Sequence, residues 1–315
     1  MHFGEQLDEE RYLALINRAY EKGARTFMTA DVYGQGASDE MLARGLADKP
    51  RDSYCLVGAV GHDFYNGERA GSRGFPRFTD PQLRGPEGYA DYLRMATEKE
   101  LERCGAEHFD LLLLHNPDVT GYTSDAVWEG MAALKEAGLA ERIGIAPGPA
   151  NGFTLDMLLC MEKFAATIDW AMVILNPLEP WPGALVLPAA EELGVKVITR
   201  VVDHGGLFHG DVRPGHTFAE GDHRVYRPSG WVERGSEKID RMIAVAESHG
   251  VTLLQLACLW NLAHPAVESV IPTLIQEAGD DAKTIEAKLD DLAALPAISL
   301  TDDERDFITD IGNNA

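Results

Sequence analysis

Short apolar runs alternate with amphipathic helical patterns along nearly the whole chain. The runs at residues 109–114 and 168–175 are mostly apolar, and each is followed by or close to a segment with apolar residues at helical spacing. Continuous apolar strands are typical of a parallel sheet that helices cover on both faces. The alternation therefore predicts an α/β fold, a (β/α)8 TIM barrel rather than a doubly wound sheet.

The predicted barrel is one strand short. The predicted strands are residues 24–28, 54–60, 109–114, 142–146, 168–175, 195–201 and 269–272. A barrel of this type closes with eight strands, whereas this chain goes from Met1 almost directly into a predicted helix at 8–22. We expect the first strand to lie upstream of Met1, since an unpaired parallel edge inside a barrel is costly. All of residues 1–315 are expected to form this one barrel domain.

The composition limits the partners. The net charge is −23, and such a field argues against nucleic acid and anionic membranes. No apolar run approaches the ~18 residues of a membrane span, the N-terminus lacks a signal-peptide pattern, and the four cysteines form no CxxC pair. We therefore expect a cytoplasmic protein that acts on a small molecule, with oligomer formation left open.

Two loops that follow predicted strands are unusually long, at residues 61–87 and 202–234. Loops longer than ~15 residues are usually functional or disordered, and in a barrel this face holds the active site. The first loop carries four arginines, which are Arg69, Arg73, Arg77 and Arg84. Nearby, Ser38 is a plausible N-cap of a helix at 38–47, and residues 235–249 are predicted to form one long helix.

Several motifs occur together in a recognisable order. They are Thr29-Ala30-Asp31-Val32-Tyr33-Gly34, Leu113-Leu114-His115-Asn116-Pro117-Asp118, Arg142-Ile143-Gly144-Ile145, Leu175-Asn176-Pro177-Leu178, Gly221-Asp222-His223-Arg224 and Val270-Ile271-Pro272. The set resembles the aldo-keto reductase superfamily, closest to the branch that includes potassium-channel β-subunit-like reductases. The likeness covers nearly the whole chain but does not include the family's first strand.

The resemblance implies carbonyl reduction with NADP(H) by a tyrosine acid, assisted by a histidine, an aspartate and a lysine. Tyr33 and His115 match the tyrosine and the histidine, whereas Met28 and Ala59 stand at the aspartate and lysine positions. A tyrosine has a pKa near ~10, and a nearby ammonium is the main means of lowering it. We therefore expect Tyr33 to remain a hydrogen-bond donor but to be a poor proton shuttle.

The cofactor surface that the resemblance implies also differs from the family pattern. Ala146 and Pro147 replace the pair that holds the nicotinamide amide, Met172 replaces a glutamine, and Arg200 replaces the aromatic that stacks on the nicotinamide ring. These changes predict altered chemistry.

The predicted adenosine-phosphate segment is similarly changed. Residues 274–281 are acidic and contain no arginine, a poor match to a 2′-phosphate. If NADP(H) binds, Asn176 and Lys283 are the candidates to hold it. Lys283 and Lys288 lie on a predicted helix, whose solvated face is the ordinary place for lysines.

Other polar residues near predicted strand ends are candidates for a substrate site. They are Asp31, His62, Asn116, Trp181, Arg200, Asp203 and His204. Arg200 ends an otherwise apolar strand, so that it either clamps a carboxylate or oxyanion or pairs with Asp203, Asp31 or Glu179. Asp31 either contacts substrate or caps backbone N–H groups of its turn.

The second long loop contains candidate metal ligands. Asp203, His204 and His209 carry ligand atoms for Zn²⁺ or Mn²⁺, but their spacing matches no metal signature. We predict no metal.

The sequence leaves three possible functions. The first is an enzyme that keeps the carbonyl-polarising pair Tyr33 and His115 but has lost hydride transfer, and that performs acid/base chemistry of a lyase, isomerase or hydrolase type on a small polar carbonyl or sugar-like substrate. The alternatives are an NADP(H)-dependent aldehyde or ketone oxidoreductase with a rebuilt site, and a non-catalytic ligand-binding or sensor protein.

Overall fold

The computed structural model describes residues 3–71, 74–148, 151–279 and 281–313, so that Met1 and Arg73 lie outside the described residues. Within these ranges the strands form a parallel sheet whose order follows the chain. The strands are β1 (Thr26–Met28), β2 (Cys55–Val60), β3 (Leu111–His115), β4 (Ile143–Ala146), β5 (Trp170–Ile174), β6 (Lys196–Arg200) and β7 (Val267–Ile271). Every predicted strand is present, with its ends shifted by at most two residues.

Helices separate most of these strands. They are α1 (Glu9–Glu21), α2 (Ala37–Leu46), α3 (Tyr89–Cys104), α4 (Val119–Thr123), α5 (Asp125–Glu136), α6 (Thr154–Lys163), α7 (Val186–Leu193), α8 (Trp231–Asp240), α9 (Ile243–His249), α10 (Leu253–Leu262), α11 (Ile285–Ala293) and α12 (Asp302–Gly312). The prediction of one helix at 235–249 is wrong, since α8 and α9 are separate. The N–H groups of Arg241 and Met242 bond carbonyls three residues back, and this tighter turn ends α8.

The prediction of Ser38 as an N-cap is also wrong. Helix α2 begins at Ala37, and its N-cap is Gly36 with a left-handed φ of 97°, a conformation that glycine adopts without steric cost. A Cβ on Gly36 would lie 2.4 Å from Nε of Arg103. The glycine therefore leaves room for Arg103, whose Nε donates to Asp39 in the first turn of α2 at 2.8 Å.

The chain forms two compact units. The first unit comprises Tyr12–Met172 and Pro188–Lys196, and the second comprises Met1–Arg11, Val173–Leu187 and Val197–Ala315. The first unit carries β1 to β4, and the second carries β6 and β7.

Strands β2 and β3 form the centre of the first unit's core. Val57 pairs with Leu111, and the leucines that follow Leu111 in β3 are fully buried. Gly58 of β2 faces Phe109, and a Cβ on this glycine would lie 2.6 Å from the ring. Each fully buried large apolar side chain contributes ~1.5–3 kcal/mol, so that β3 is held firmly and His115 has a fixed position at its end.

Helix α10 is the most buried helix of the second unit. Helix α12, which the sequence analysis did not predict, packs against it, because Nε1 of Trp260 donates to Oγ1 of Thr309 at 3.2 Å. Thr301 and Glu304 start α12 with a reciprocal capping box. None of the described helices is long and apolar enough by itself to cross a membrane; only α9 and α10 taken together, bent by 86°, meet that length and composition.

Candidate active site

Three aromatic rings stand in a row in the first unit, those of Tyr33, His115 and His62. Tyr33 follows β1, where its N–H donates to the Ala30 carbonyl at 2.8 Å. The ring centroid of His115, the last residue of β3, lies 5.6 Å from that of Tyr33 and 5.2 Å from that of His62, edge to face in both cases. Tyr33 is 46% exposed whereas both histidines are buried, so that solvent reaches the row at Tyr33.

His62 is held by Arg77 and Asn116. NH1 of Arg77 lies 2.9 Å from Nδ1 of His62, and Nδ2 of Asn116 lies 3.2 Å from Nε2. Arginine can only donate, so Nδ1 accepts and the neutral ring carries its proton on Nε2. This assignment turns the Asn116 amide so that its oxygen accepts from Nε2. Burial and the Arg77 charge lower the pKa of His62 to about 4, so the ring is neutral at physiological pH.

Arg77 also braces the strand end beside His115. Its Nε donates to the backbone carbonyl of Asn116, whose φ of 47° is left-handed. The N–H of Asn116 donates to the Ala146 carbonyl of β4 at 2.8 Å. The turn after β3 and the long loop at 61–87 are therefore joined through one guanidinium.

A buried ion pair anchors the same long loop. Asp63 is fully buried, pairs with Arg84 and accepts from the N–H of Asn66 at 2.9 Å. The Arg84 guanidinium lies 4.2 Å from the ring centroid of Tyr92 in α3, and the Tyr92 hydroxyl donates to the His62 carbonyl at 2.8 Å. The loop beside His62 is therefore built into the core.

Asp31 is fully buried and does not join the ring row in any described contact. Burial first, and then the charge of Asp39, raise the pKa of Asp31 well above its ordinary value. Its neighbour Asp39 is bound by Oγ1 of Thr29 at 2.6 Å and by Arg103. By strict geometry neither Asp31 oxygen accepts a hydrogen bond from the described residues. The substrate-binding role predicted for Asp31 stays a prediction.

The site lacks an ammonium where the family pattern has one. Ala59 is fully buried in β2, and its N–H donates to Oε1 of Glu100, a residue of α3, at 3.1 Å. Burial and the charge of Asp31 raise the pKa of Glu100 well above its ordinary value. A carboxyl, rather than a cation, thus supports this part of β2.

In the second unit, the side chains of Asn176 and Asp203 form hydrogen bonds with backbone groups. Nδ2 of Asn176 donates to the carbonyl of Val201 at 3.1 Å, and its Oδ1 accepts from the N–H of Leu178 at 3.0 Å. Val201 has a φ of 58°, a strained value for a β-branched residue. Asp203 accepts from the N–H groups of Gly206 at 2.7 Å and Thr273 at 2.6 Å.

His204 is held by a second arginine. NH1 of Arg227 lies 3.3 Å from Nε2 of His204, while Nδ1 lies 3.8 Å from Oε2 of Glu179. Burial and the Arg227 charge lower the pKa of His204 to about 3. The Arg227 guanidinium also covers the ring of Trp231 at 4.8 Å.

The three candidate metal ligands have other hydrogen-bond partners. Asp203 binds backbone N–H groups, His204 accepts from Arg227, and Nε2 of His209 donates to the Thr273 carbonyl at 3.0 Å. Among the described residues, the one group with three ligand atoms close together is formed by His108, Asp110 and Glu141. That group was not among the predicted ligands, and partly exposed acidic residues commonly lie close together without a metal.

Two further predicted residues lie in the second unit. Trp181 is 56% exposed in the turn after β5, and Arg200 is the partly exposed last residue of β6. Their substrate-binding roles stay predictions.

A buried ion cluster includes Glu277, a residue of the predicted adenosine-phosphate segment at 274–281. Arg224 is fully buried and donates to Asp222, to Glu277 at 2.6 and 2.8 Å, and to the Gly205 carbonyl at 3.0 Å. All five of its N–H groups therefore have protein acceptors. The carboxylate of Glu277 belongs to the segment that would face the phosphate.

The lysines of this segment are engaged too. Lys283 lies 3.5 Å from Asp291. Lys288, expected on a solvated face, is instead fully buried, with Nζ 2.7 Å from Asp211 and 2.6 Å from the Ile275 carbonyl. With both cations and Arg224 paired to carboxylates, the described residues here do not fit a 2′-phosphate.

Sequence reasoning missed the two arginines that hold the histidines. Arg77 was noted only as one of four loop arginines, and Arg227 was not noted at all. Neither arginine belongs to a local sequence motif. Each contacts a histidine ring nitrogen that lies 15 or 23 residues away along the chain, so that only the folded structure reveals the contact.

Parallel β/α units in chain order, with a tyrosine after β1 and a histidine ending β3, are the pattern of an α/β barrel. The chain belongs to the aldo/keto reductase family, whose family model matches residues 1–293. A probable aldo-keto reductase of Glycine max is 26% identical over 275 residues, which are 86% of this chain and 72% of that protein. The versiconal hemiacetal acetate reductase of Aspergillus parasiticus is 22% identical over 327 residues, with coverages of 90% and 84%.

Solved structures share the fold. The glycerol dehydrogenase of Gluconobacter oxydans superposes with a TM-score of 0.75 at 22% identity, covering 98% of this chain and 87% of that chain. An aldo-keto reductase from Bacillus halodurans in its holo form gives a TM-score of 0.70 at 22% identity, with coverages of 98% and 90%. The predicted fold class, an aldo-keto reductase barrel with one strand fewer than eight, is confirmed.

Proposed function

We propose that the protein is an enzyme that moves a proton next to a carbonyl group, as in isomerisation or elimination, on a small polar or sugar-like substrate. The observation that carries this proposal is the row of Tyr33, His115 and His62, with ring centroids 5.6 and 5.2 Å apart. Tyr33 is the solvent-facing member, so a substrate reaches its hydroxyl first.

The roles follow from the charges around the row. With methionine at position 28 and alanine at position 59, neither position supplies the ammonium that would lower the Tyr33 pKa. In this proposal Tyr33 donates a hydrogen bond to the substrate's carbonyl oxygen. Polarising that carbonyl acidifies the adjacent C–H bond, and the neighbouring imidazole of His115 accepts the released proton. His62 is itself neutral, and it contacts Asn116 beside the row.

Proton exchange tests this function directly. The protein is incubated in deuterated buffer with a panel of ketoses and keto acids, and deuterium at the carbon beside the carbonyl is followed by NMR, with no nicotinamide added. Exchange is expected in the wild type and is expected to fall by about 10²–10⁴-fold in Tyr33→Phe and His115→Ala, the usual range for a lost acid/base group. Tyr226→Phe is the matched control, because this tyrosine is 80% exposed and lies in the second unit. Exchange unchanged in Tyr33→Phe and His115→Ala would sink the proposal.

A second candidate is NADP(H)-dependent reduction of an aldehyde or ketone. The comparisons favour it, because the relative from Aspergillus parasiticus is named a reductase and that from Glycine max a probable aldo-keto reductase. Against it stand the carboxylates around Arg224 and the missing ammonium at Ala59. Protein fluorescence titrated with NADPH and NADH separates the two candidates: saturable binding at micromolar concentration, with oxidation of NADPH by a carbonyl substrate, would establish reduction.

A further inference from the structure

Arg77 is a partly buried cation whose hydrogen bonds all go to neutral groups. Nε donates to the Asn116 carbonyl, and NH1 donates to His62 and, at 3.4 Å, to the Phe75 carbonyl. Among the described residues no carboxylate lies within ion-pair distance of it. Burial lowers the pKa of Arg77, and the charge of Asp118 opposes this effect without a direct contact.

Asp118 is committed elsewhere. Its Oδ2 accepts from Oγ1 of Thr79 at 2.7 Å, and its Oδ1 accepts from the N–H of Gly121 at 2.8 Å, where it caps α4. The other arginine of the loop that faces the core, Arg84, has its own carboxylate in Asp63. The loop therefore pairs Arg84 directly with a carboxylate and leaves Arg77 without a directly bound carboxylate among the described residues.

A partly desolvated guanidinium without a directly bound carboxylate is costly unless an anion completes it. NH2 of Arg77 donates no hydrogen bond within the described residues, and the side chain is partly exposed, so this edge is open to a ligand. A guanidinium edge matches the two oxygens of a carboxylate or phosphate.

We propose that Arg77 binds the anionic group of the substrate, a carboxylate or a phosphate monoester. The proposal rests on the proposed function, since Arg77 is bonded to His62 and the ring row then leads from His62 through His115 to Tyr33. The substrate class is thereby narrowed to keto-sugar acids or keto-sugar phosphates that are long enough to extend along the row, with the anion at the His62 end of the row and the carbonyl at Tyr33.

Anion binding is measured without turnover. The Hε1 resonance of His62, assigned with His62→Gln, is followed during titration of the whole protein with inorganic phosphate and separately with acetate. We expect a saturable shift in the wild type, at least tenfold weaker binding in Arg77→Met, and partial retention in Arg77→Lys, which keeps the charge but not the planar fork. Arg69→Met is the matched control, since Arg69 is exposed on the same loop, and it should bind as the wild type does.

The outcomes separate this proposal from the proposed function. Shifts with phosphate but not acetate would select phosphate esters, and the reverse would select keto-sugar acids. No saturable shift with either anion in the wild type, or an equal shift in Arg77→Met, overturns the role of Arg77 even if proton exchange at the Tyr33 site persists. Anion binding that depends on Arg77, in a protein without proton exchange, would support the anion site and overturn the proposed function.

Discussion

Two arginines of this chain are shielded from water but donate to different kinds of acceptor. Arg224 is fully buried and donates to the carboxylates of Asp222 and Glu277. Arg77 is partly buried and donates to neutral acceptors, among them His62. Arg224 belongs to a closed cluster in which the arginine and the two carboxylates neutralise one another, whereas Arg77 lacks a directly bound carboxylate in the part of the chain that the structure describes. A buried arginine that is paired with carboxylates indicates a structural role. A partly buried arginine that borders solvent and has no directly bound carboxylate indicates an anion-binding site.

The largest expected effect is the loss of stability when Arg224 is replaced. Arg224→Met leaves the carboxylates of Asp222 and Glu277 buried without a cation, and breaking a buried pair in this way costs about 3–5 kcal/mol. Urea denaturation measures the free energy of unfolding. The triple variant Arg224→Met with Asp222→Asn and Glu277→Gln should recover part of the loss, because no charge remains buried. A loss below ~1 kcal/mol in the single variant would contradict the closed-cluster interpretation.

A buried acid whose carboxyl has no direct ion pair within the described residues sharpens the comparison. Asp31 is fully buried, and burial raises its pKa well above the ordinary value. Its raised pKa means that its contribution to stability is fully present below the unfolded pKa of ~3.9 and is lost as pH rises through the folded pKa. Asp31→Asn should therefore be more stable than the wild type at neutral and alkaline pH, by about 1–3 kcal/mol, the usual cost of an unsatisfied buried polar group.

Thermal unfolding of Asp31→Asn and wild type from pH 4 to pH 9 measures that difference. The gain should grow with pH and be smallest at pH 4. The same variant tests the predicted substrate role, since full proton exchange in Asp31→Asn would show that the carboxyl is not needed. An Asp31→Asn protein that is less stable at pH 8 would show that the ionised carboxylate has a partner.

Replacing Arg77 should cost less stability than replacing Arg224. Arg77→Met leaves the carbonyls of Asn116 and Phe75 and Nδ1 of His62 without this donor, a loss of about 1–2 kcal/mol. Because the Arg77 charge helps to lower the pKa of His62 to about 4, this pKa should rise in the variant, as measured by NMR titration of the His62 ring. An unchanged pKa would mean that burial alone keeps His62 neutral.

The pH dependence of stability provides a second readout of the same contact. The pKa of His62 is lowered relative to the ~6.5 of an unfolded chain, so that its contribution is present above that value and is lost as pH falls through 6.5 toward the folded value near 4. In Arg77→Met the folded pKa is higher, and the loss of stability on acidification should be smaller than in the wild type. His62→Gln, which has no ring to titrate, serves as the reference.

The sequence predicted the strands because their signal is local. Most strands are runs of apolar residues whose burial is visible in the chain itself, and all of the predicted strands are present within two residues. Tyr33 and His115 are predicted site residues because they lie in motifs at strand ends. The lysine at position 288 was misplaced, because helical spacing does not reveal that Asp211 neutralises its charge inside the core. Arg77 was missed as a site residue for the same reason, since its partner His62 lies 15 residues away.

The smallest expected effect comes from an arginine that water already solvates. Nε of Arg94 lies 2.8 Å from Oε1 of Glu98 one turn later in α3, with both side chains about half exposed or more. Solvent screens this pair, and placing the arginine before the glutamate is the less favourable order along a helix. Arg94→Ala should therefore change the free energy of unfolding by only about 0.2–0.5 kcal/mol, measured by urea denaturation beside Arg224→Met and Arg77→Met. If Arg94→Ala cost as much as Arg77→Met, burial would not be what distinguishes these arginines, and the inference of an anion receptor at Arg77 would lose its physical basis.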